Sequence, residues 1–192
     1  NRPSKAWKKL RDSTQKRFRN NASAGNIEIT VGLATCGIAA GGLETRDAFI
    51  RAVAYHDLRA SVRTVGCSGH CYAEPVVIID HPDSGLPALF YREVNPGKAN
   101  MLVRNFLMGK DPCLEHVMGA METNELLPAV NDFARFNQQM RVVMEKCGRI
   151  DPESLDEYIT EGGYGTLARS LGEAAHKIVD TVKDSGLRGR GG

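Results

Sequence analysis

The chain has 192 residues, 42% of them hydrophobic, and a formal net charge of +2. This composition is ordinary for a globular protein of one or two domains, and the balanced charge argues against nucleic acid and acidic substrates as partners. No run approaches the ~18 apolar residues of a membrane span, and the N-terminus lacks the apolar region of a signal peptide. We therefore expect a cytoplasmic protein that does not itself span a membrane.

The first twenty residues carry a local excess of basic side chains. Their apolar positions, Trp7, Leu10 and Phe18, leave only a thin helical face. Charge runs of this kind are weak evidence for nucleic-acid binding. We predict that residues 1–26 form a basic helix that docks on protein.

Residues 27–110 alternate strand and helix patterns. Strands are predicted at 27–33, 61–65, 75–79 and 89–91, and helices at 43–55 and 98–107. A cysteine-containing turn follows the first strand, and residues 81–85 join the last two strands as a hairpin. The order β-α-β-β-β-α fits a small α/β sandwich with helices packed on a mixed sheet.

The remaining residues have a different pattern. Residues 111–137 show weak periodicity, which predicts a connector with one short helix near 115–121. Asp151 is a good N-cap residue with Pro152 at the first helical position, so a helix should run to about residue 161. Two further helical patterns follow within the segment 138–192, at 164–171 and 173–183.

Five cysteines, an odd number, favour metal or redox use over a disulfide framework. Cys67 and Cys71 form a C-x3-C pair in a glycine-rich turn, and Cys36 lies in a turn about 30 residues upstream. If parallel neighbouring strands lead into both turns, the three thiols reach one rim of the sheet. Thiolates are the ligands that iron–sulfur clusters require.

Four segments resemble a known family. Residues 147–164 and 185–192 resemble the NADH-binding flavoprotein subunit of bacterial respiratory complex I and of related NAD-linked iron-only hydrogenases. Residues 35–41 and 66–75 resemble the thioredoxin-like ferredoxin domain that precedes this core in the hydrogenase-type members. The resemblance implies an α/β fold in which a thioredoxin-like ferredoxin sandwich is followed by the helical start of a flavoprotein core.

The same resemblance implies an electron-transfer function. In the complete protein NADH would pass a hydride to FMN, and electrons would continue through iron–sulfur clusters of a multisubunit complex to an acceptor that the sequence leaves open. Family members carry a [4Fe-4S] cluster at a motif beyond residue 192. We expect other iron–sulfur subunits as partners. We assign no catalytic residue here, because this segment lacks the nicotinamide pocket.

The chain's last residues resemble the opening of the family's flavin-binding loop. They are Gly189, Arg190, Gly191 and Gly192. Glycines let backbone N–H groups approach a phosphate, and an arginine adds a charged donor, so these residue types suit the FMN phosphate.

The cluster ligands are incomplete by the family pattern. Thioredoxin-like [2Fe-2S] ferredoxins show C-x4-C in the first turn, but its first position falls on Val31 here. Three cysteines, Cys36, Cys67 and Cys71, remain for a site that needs four ligands. His70 or Cys113 could complete the site, although Cys113 follows a predicted exposed bend. Alternatively the domain has no cluster and serves as a docking module of the same complex.

Other interpretations of the cysteines are weaker. A zinc site with His70 as the fourth ligand matches the donor types but not the redox family. Thioredoxin-type thiol chemistry uses C-x2-C at a helix N-terminus, whereas Pro75 begins a strand shortly after the C-x3-C pair. For Cys147, which has no ligand at metal spacing, and for Cys113, the simplest expectation is a buried small hydrophobe.

Overall fold

The computed structural model describes residues 2–21, 26–134 and 136–189. They form two compact units, one made of residues 26–153 and the other of residues 2–21 with 154–189. The domain boundaries given above, at 26, 110 and 137, stay predictions.

The larger unit is built on a five-stranded sheet. Its strands are β1 (Ile27–Gly32), β2 (Ala60–Val65), β3 (Val77–Asp80), β4 (Leu89–Tyr91) and β5 (Val117–Ala120), in the spatial order β2-β1-β3-β4-β5. Strands β1 and β2 are parallel, and the other neighbouring pairs are antiparallel. The hairpin predicted between β3 and β4 is confirmed.

This unit has three helices, of which the second and third were predicted and the first lies where a turn was expected. They are α2 (Thr35–Ala39), α3 (Gly42–Tyr55) and α4 (Pro96–Leu102), and α4 continues as a π-helical segment, Val103–Met108. The N-terminus of α4 is capped by Asn95, whose Oδ1 accepts a 2.9 Å hydrogen bond from the Lys98 N–H. A β-α-β unit with parallel strands, followed by a β-β-α unit, is the thioredoxin-like α/β fold that was expected.

The core of this unit combines sheet and helix side chains. Phe49 of α3 and Phe106 after α4 are essentially inaccessible and belong to one cluster with Ile29, Ile79 and Leu89. Each such side chain contributes about 1.5–3 kcal/mol by leaving water. The core therefore fixes β1 and the strands beside it.

Two expectations for residues 111–121 were wrong. In place of a helix near 115–121, a short 3-10 turn (Leu114–His116) leads into β5, which adds to the sheet beside β4. Cys113 is only 2% exposed and belongs to the core cluster, so no exposed bend removes it from the core. This agrees with the alternative interpretation of Cys113 as a buried small hydrophobe.

The smaller unit is helical, with α1 (Arg2–Asn21), α5 (Leu155–Thr160), α6 (Gly165–Ser170) and α7 (Ala175–Asp184). The Trp7 indole N–H donates a 2.8 Å hydrogen bond to the Gly163 carbonyl, and the Ser4 hydroxyl donates to the Ala168 carbonyl at 3.1 Å. The basic helix therefore docks on other helices of its own chain. No helix in the described ranges is long and apolar enough to cross a membrane.

The predicted cap of the helix near residue 152 was also wrong. Helix α5 begins at Leu155, and Ser154 caps it by accepting a 3.2 Å hydrogen bond from the Glu157 N–H. Asp151 instead accepts hydrogen bonds from the Thr64 hydroxyl and from the Glu153 N–H. Ser154 and Asp151 are both of residue types that cap helices well. The Asp151 carboxylate binds the distant Thr64 hydroxyl, and Ser154 caps the helix.

Candidate functional site

Both cysteine segments leave the same edge of the sheet. Strands β1 and β2 are parallel with Gly32 opposite Val65, and the Leu33 N–H extends the pairing by a 2.9 Å hydrogen bond to the Val65 carbonyl. Cys36 is the fourth residue after the end of β1, and Cys67 is the second residue after the end of β2. The expected shared edge is confirmed, except that Cys36 lies in the first turn of α2 and not in an irregular turn.

The structure brings Cys67 and Cys71 together. Their Sγ atoms lie 3.8 Å apart, and the Gly69 N–H donates to Cys67 Sγ at 3.3 Å. Gly69 adopts the left-handed conformation (φ 91°) that makes this tight turn possible. Burial is the main cause that raises the pKa of Cys67. The neighbouring Cys71 and Glu74 raise this pKa further, whereas the hydrogen bond from the Gly69 N–H lowers it. Cys71 is exposed.

Cys36 is the third candidate cysteine. It is exposed on α2. In the described parts of the chain, no three His, Cys, Asp or Glu side chains are gathered closely enough to hold a metal ion. The assignment of Cys36, Cys67 and Cys71 as a ligand set therefore stays a prediction.

His70 is buried among aromatic rings. It is 2% exposed, and its ring centroid lies 4.2 Å from that of Phe136 and 5.0 Å from that of Phe90. Burial, followed by the charge of Arg141, lowers the pKa of His70 and favours the neutral imidazole. Its observed environment is thus that of an aromatic core residue.

The position at which the family pattern has a cysteine, and the second candidate for the fourth ligand, are also in the core. Val31 is fully buried in β1, and Cys113 belongs to the same core cluster. The Cys113 thiol donates to the Asp111 carbonyl at 3.5 Å, and burial raises its pKa.

Glu74 also lies at this edge of the sheet and was not among the predicted site residues. One of its carboxylate oxygens, Oε2, accepts a 2.9 Å hydrogen bond from the Val76 N–H. The other, Oε1, is buried and has no hydrogen-bond partner among the described residues. Burial raises the pKa of Glu74, and the hydrogen bond from Val76 opposes this. The sequence did offer one sign of this role: Glu74 is a carboxylate only three residues after Cys71 and directly before a predicted buried strand.

A later segment covers the C-x3-C loop. The Arg141 guanidinium lies 5.1 Å from the centre of the Phe136 ring and within 3.4 Å of the Ser68 carbonyl, to which it donates. Gly148 (φ 74°) packs so closely that a Cβ there would lie 2.7 Å from Ser68 Cα. The loop and this segment enclose a cleft of about 610 Å³. Cys147 lines the cleft and is partly exposed, so it is less buried than expected.

Residues 189–192 are those predicted to begin the flavin-binding loop. Gly189 is exposed, with no heavy atom of the described chain within 4 Å of a Cβ built on it. Arg190, Gly191 and Gly192 lie outside the described residues. The FMN assignment of all four stays a prediction.

The donors at the sheet edge suit an iron–sulfur cluster in type. Cys36, Cys67 and Cys71 offer thiolate sulfur, the required donor, and are one short of four. The orphaned Oε1 of Glu74 is a further anionic donor. Gly32 and Gly37 form a cradle beside this carboxylate, since a Cβ on either would lie 3.4 Å or 3.1 Å from Glu74 Oε2.

Comparison with known sequences gives three informative relatives. The chain is 36% identical over 95 residues to the NADP-reducing hydrogenase subunit HndB of Solidesulfovibrio fructosivorans, which covers 49% of this chain and 74% of HndB. It is 53% identical over 55 residues to HndC, another subunit of that hydrogenase, covering 29% of this chain and 11% of HndC. It is 36% identical over 53 residues to a subunit of the NADH-quinone oxidoreductase of Aquifex aeolicus, covering 28% and 12%.

The chain thus spans about a tenth of the length of HndC and of the Aquifex aeolicus oxidoreductase subunit. No protein-family model matches it. Among solved structures, a thioredoxin-like [2Fe-2S] ferredoxin from Aquifex aeolicus is similar at 19% identity and a TM-score of 0.44, covering 54% of this chain and 100% of the ferredoxin. A second structure of the ferredoxin from that organism gives 21% identity and a TM-score of 0.42, covering 50% and 98%. Similarity this low is not evidence of shared function.

The sequence relatives confirm the resemblance to subunits of NAD(P)-linked hydrogenases and of NADH-quinone oxidoreductase. HndB is matched over most of its length, and its identity to this chain exceeds one third. On that ground, the chain belongs to the family of the NADP-reducing hydrogenase subunit HndB.

Proposed function

We propose that this chain is the electron-transfer part of an NADH-oxidising flavoprotein subunit in a multisubunit, cytoplasmic redox complex. The names of its relatives support the proposal, because all three are subunits of NAD(P)-linked oxidoreductases. The complete protein would bind FMN and NADH, and other iron–sulfur subunits would be its partners.

The observation that carries the proposal is the shared edge of the two cysteine segments. Parallel pairing of β1 and β2 sends both segments out of one end of the sheet, and Cys67 and Cys71 already lie 3.8 Å apart there. Cys36, Cys67 and Cys71 would hold a [2Fe-2S] cluster at this edge. When bound, such a cluster accepts and releases one electron at a time.

The surrounding residues have roles that follow from their contacts. The Gly69 N–H, which donates to Cys67 Sγ, would stabilise negative charge on that sulfur, and such bonds tune cluster potentials. His70, held between Phe90 and Phe136, anchors the loop to the core. Arg141 holds the loop's backbone at Ser68 by donating to its carbonyl.

The remaining cofactor contacts belong to the complete protein. Gly189, Arg190, Gly191 and Gly192 would begin the loop that binds the FMN phosphate, as the resemblance implies. A [4Fe-4S] cluster would be bound beyond residue 192. The hydride transfer from NADH to FMN would therefore need more of the protein than this chain.

A docking module without a cluster is the second candidate. Val31 is buried where the family pattern has a cysteine, and no three potential ligands are gathered in the described ranges. In this case the cysteine loops would have only a structural role, and the sheet would serve to hold neighbouring subunits.

Iron analysis distinguishes the two candidates. The chain is purified without oxygen, and its iron, sulfide and electron paramagnetic resonance signal after reduction are measured. We expect about two irons per chain and a [2Fe-2S] signal. Cys67→Ser and Cys36→Ser should lose the signal, whereas Cys147→Ser, a matched control in the cleft, should keep it. An iron-free chain without a signal would leave the docking module as the function.

A further inference from the structure

The edge of the sheet offers three cysteines to a cluster that takes four ligands. We propose that the carboxylate of Glu74 supplies the fourth ligand, giving a site of three cysteines and one glutamate. This inference rests on the proposed function, since it concerns the same cluster. It assigns a ligand role to a residue that the cysteine motifs do not include.

The position of Glu74 supports this role. The 3-10 turn Cys71–Ala73 brings the chain back toward the sheet edge, and Glu74 follows it directly. Glu74 Oε2 lies 3.1 Å from the Cβ position of Gly37, the residue after Cys36, and 3.4 Å from that of Gly32. Gly32 in turn follows Val31, where the family pattern places its other cysteine. The carboxylate therefore lies beside the strand end at which a ligand is missing.

The two glycines keep space for this carboxylate. A Cβ on Gly37 would collide with the Gly32 carbonyl and press on Glu74 Oε2. A Cβ on Gly32 would lie 2.7 Å from a methyl group of Val76, the residue whose N–H binds the same carboxylate. Larger residues at either position would displace Glu74.

The hydrogen bonding of Glu74 leaves one oxygen free for a ligand. The Val76 N–H holds Oε2 at 2.9 Å, and Oε1 is buried without a partner in the described part of the chain. A buried acceptor without a partner is unfavourable, and buried polar groups are nearly always satisfied in native structures. Binding to iron through Oε1 would satisfy it while the backbone keeps the carboxylate oriented.

Substitutions at Glu74 test the inference directly. The full chain and its variants are loaded with ferrous iron and sulfide without oxygen, then passed over a desalting column. Retained iron, absorption and the resonance signal after reduction are measured. We expect about two irons in the unmodified chain and a several-fold loss in Glu74→Ala and Glu74→Gln. Glu115→Gln, which alters an exposed carboxylate, should retain full iron.

Glu74→Cys separates loss of a ligand from loss of the fold. It supplies a fourth thiolate, so it should retain iron and show altered absorption and resonance spectra. Thermal unfolding of the iron-free variants shows whether each is folded before loading. Full iron and unchanged spectra in Glu74→Ala and Glu74→Gln would overturn the inference and leave the proposed function standing. An unmodified chain that binds no iron would overturn both.

Discussion

Thr64 of strand β2 donates a 3.0 Å hydrogen bond to a carboxylate oxygen of Asp151, across 87 residues of sequence. The Arg63 guanidinium donates to the Arg149 carbonyl at 2.8 Å beside it. Asp151 belongs to the stretch that resembles the start of a flavoprotein core, whereas Thr64 leads into the C-x3-C loop. Residues 149–151 are therefore part of the sheet-containing unit and lie along the strand that positions Cys67.

The Thr64 bond should contribute measurably to the stability of this unit. Thr64→Val keeps the side-chain shape and removes the donor, so we expect a loss of about 1 kcal/mol in the free energy of unfolding. Urea unfolding followed by circular dichroism measures it. Ser61→Ala, at an exposed position of the same strand, is the control. Equal effects of the two substitutions would show that the bond contributes nothing.

Glu74 should give the iron-free chain a distinct pH dependence. Burial raises its folded pKa above the ordinary value of 4.5. The stabilisation from this shift is complete below about pH 4.5 and is lost as the pH rises through the folded pKa. Glu74→Gln removes the charge, so we expect the variant to be the more stable of the two at pH 7.

The comparison is made by thermal unfolding of both proteins from pH 4 to pH 8. The difference in melting temperature should disappear at the acid end. A difference that stays constant over the whole range would contradict a role for ionisation of Glu74.

His70 should give the stability of the chain the opposite pH dependence. Its folded pKa is lowered from 6.5, first by burial and then by Arg141. The resulting stabilisation is present above pH 6.5 and is lost as the pH falls through the folded pKa. His70→Phe keeps an aromatic ring beside Phe90 and Phe136, so its stability should fall less between pH 7 and pH 5. His176→Gln, a histidine substitution at an exposed position, is the matched control.

The contact between α1 and α6 can be followed with a single fluorophore. Trp7 is the chain's one tryptophan, and a Cβ on Gly165 would lie 3.0 Å from its ring. Gly165→Val should push the ring toward water and shift its emission to longer wavelength. Gly189→Ala is the control, because no described heavy atom lies within 4 Å of that position. Unchanged emission in Gly165→Val would argue against this packing.

Elements with a strong local pattern were predicted well. Strand β4 has the predicted bounds, and α3 begins one residue earlier than predicted. Alternation over β1 and the spaced apolar residues of α3 are local patterns that a sequence shows directly, although β1 is buried on both faces. The edge strand β5 was missed because two of its four residues, Gly119 and Ala120, are of types depleted in strands. Asp151 was misassigned because its partner, Thr64, is distant in sequence.

The candidate site was likewise predicted only in part. Cysteine spacing and the parallel order of β1 and β2 were sufficient to predict that both cysteine segments share an edge. Glu74 could not be identified as part of that edge, because its importance depends on which of its oxygens finds a partner. Hydrogen-bond satisfaction is a property of the folded chain, and no local pattern reports it.

By itself, the sequence determined the α/β class, the order of the main elements and the pairing of Cys67 with Cys71 in one loop. These follow from periodicity, glycine positions and short separations along the chain. Only the tertiary structure decided that His70 and Val31 are buried, that Cys36 is exposed on a helix, and that the Glu74 carboxylate turns toward Gly32 and Gly37. Those outcomes depend on contacts between distant segments, where packing space and hydrogen-bond partners are set by the whole fold.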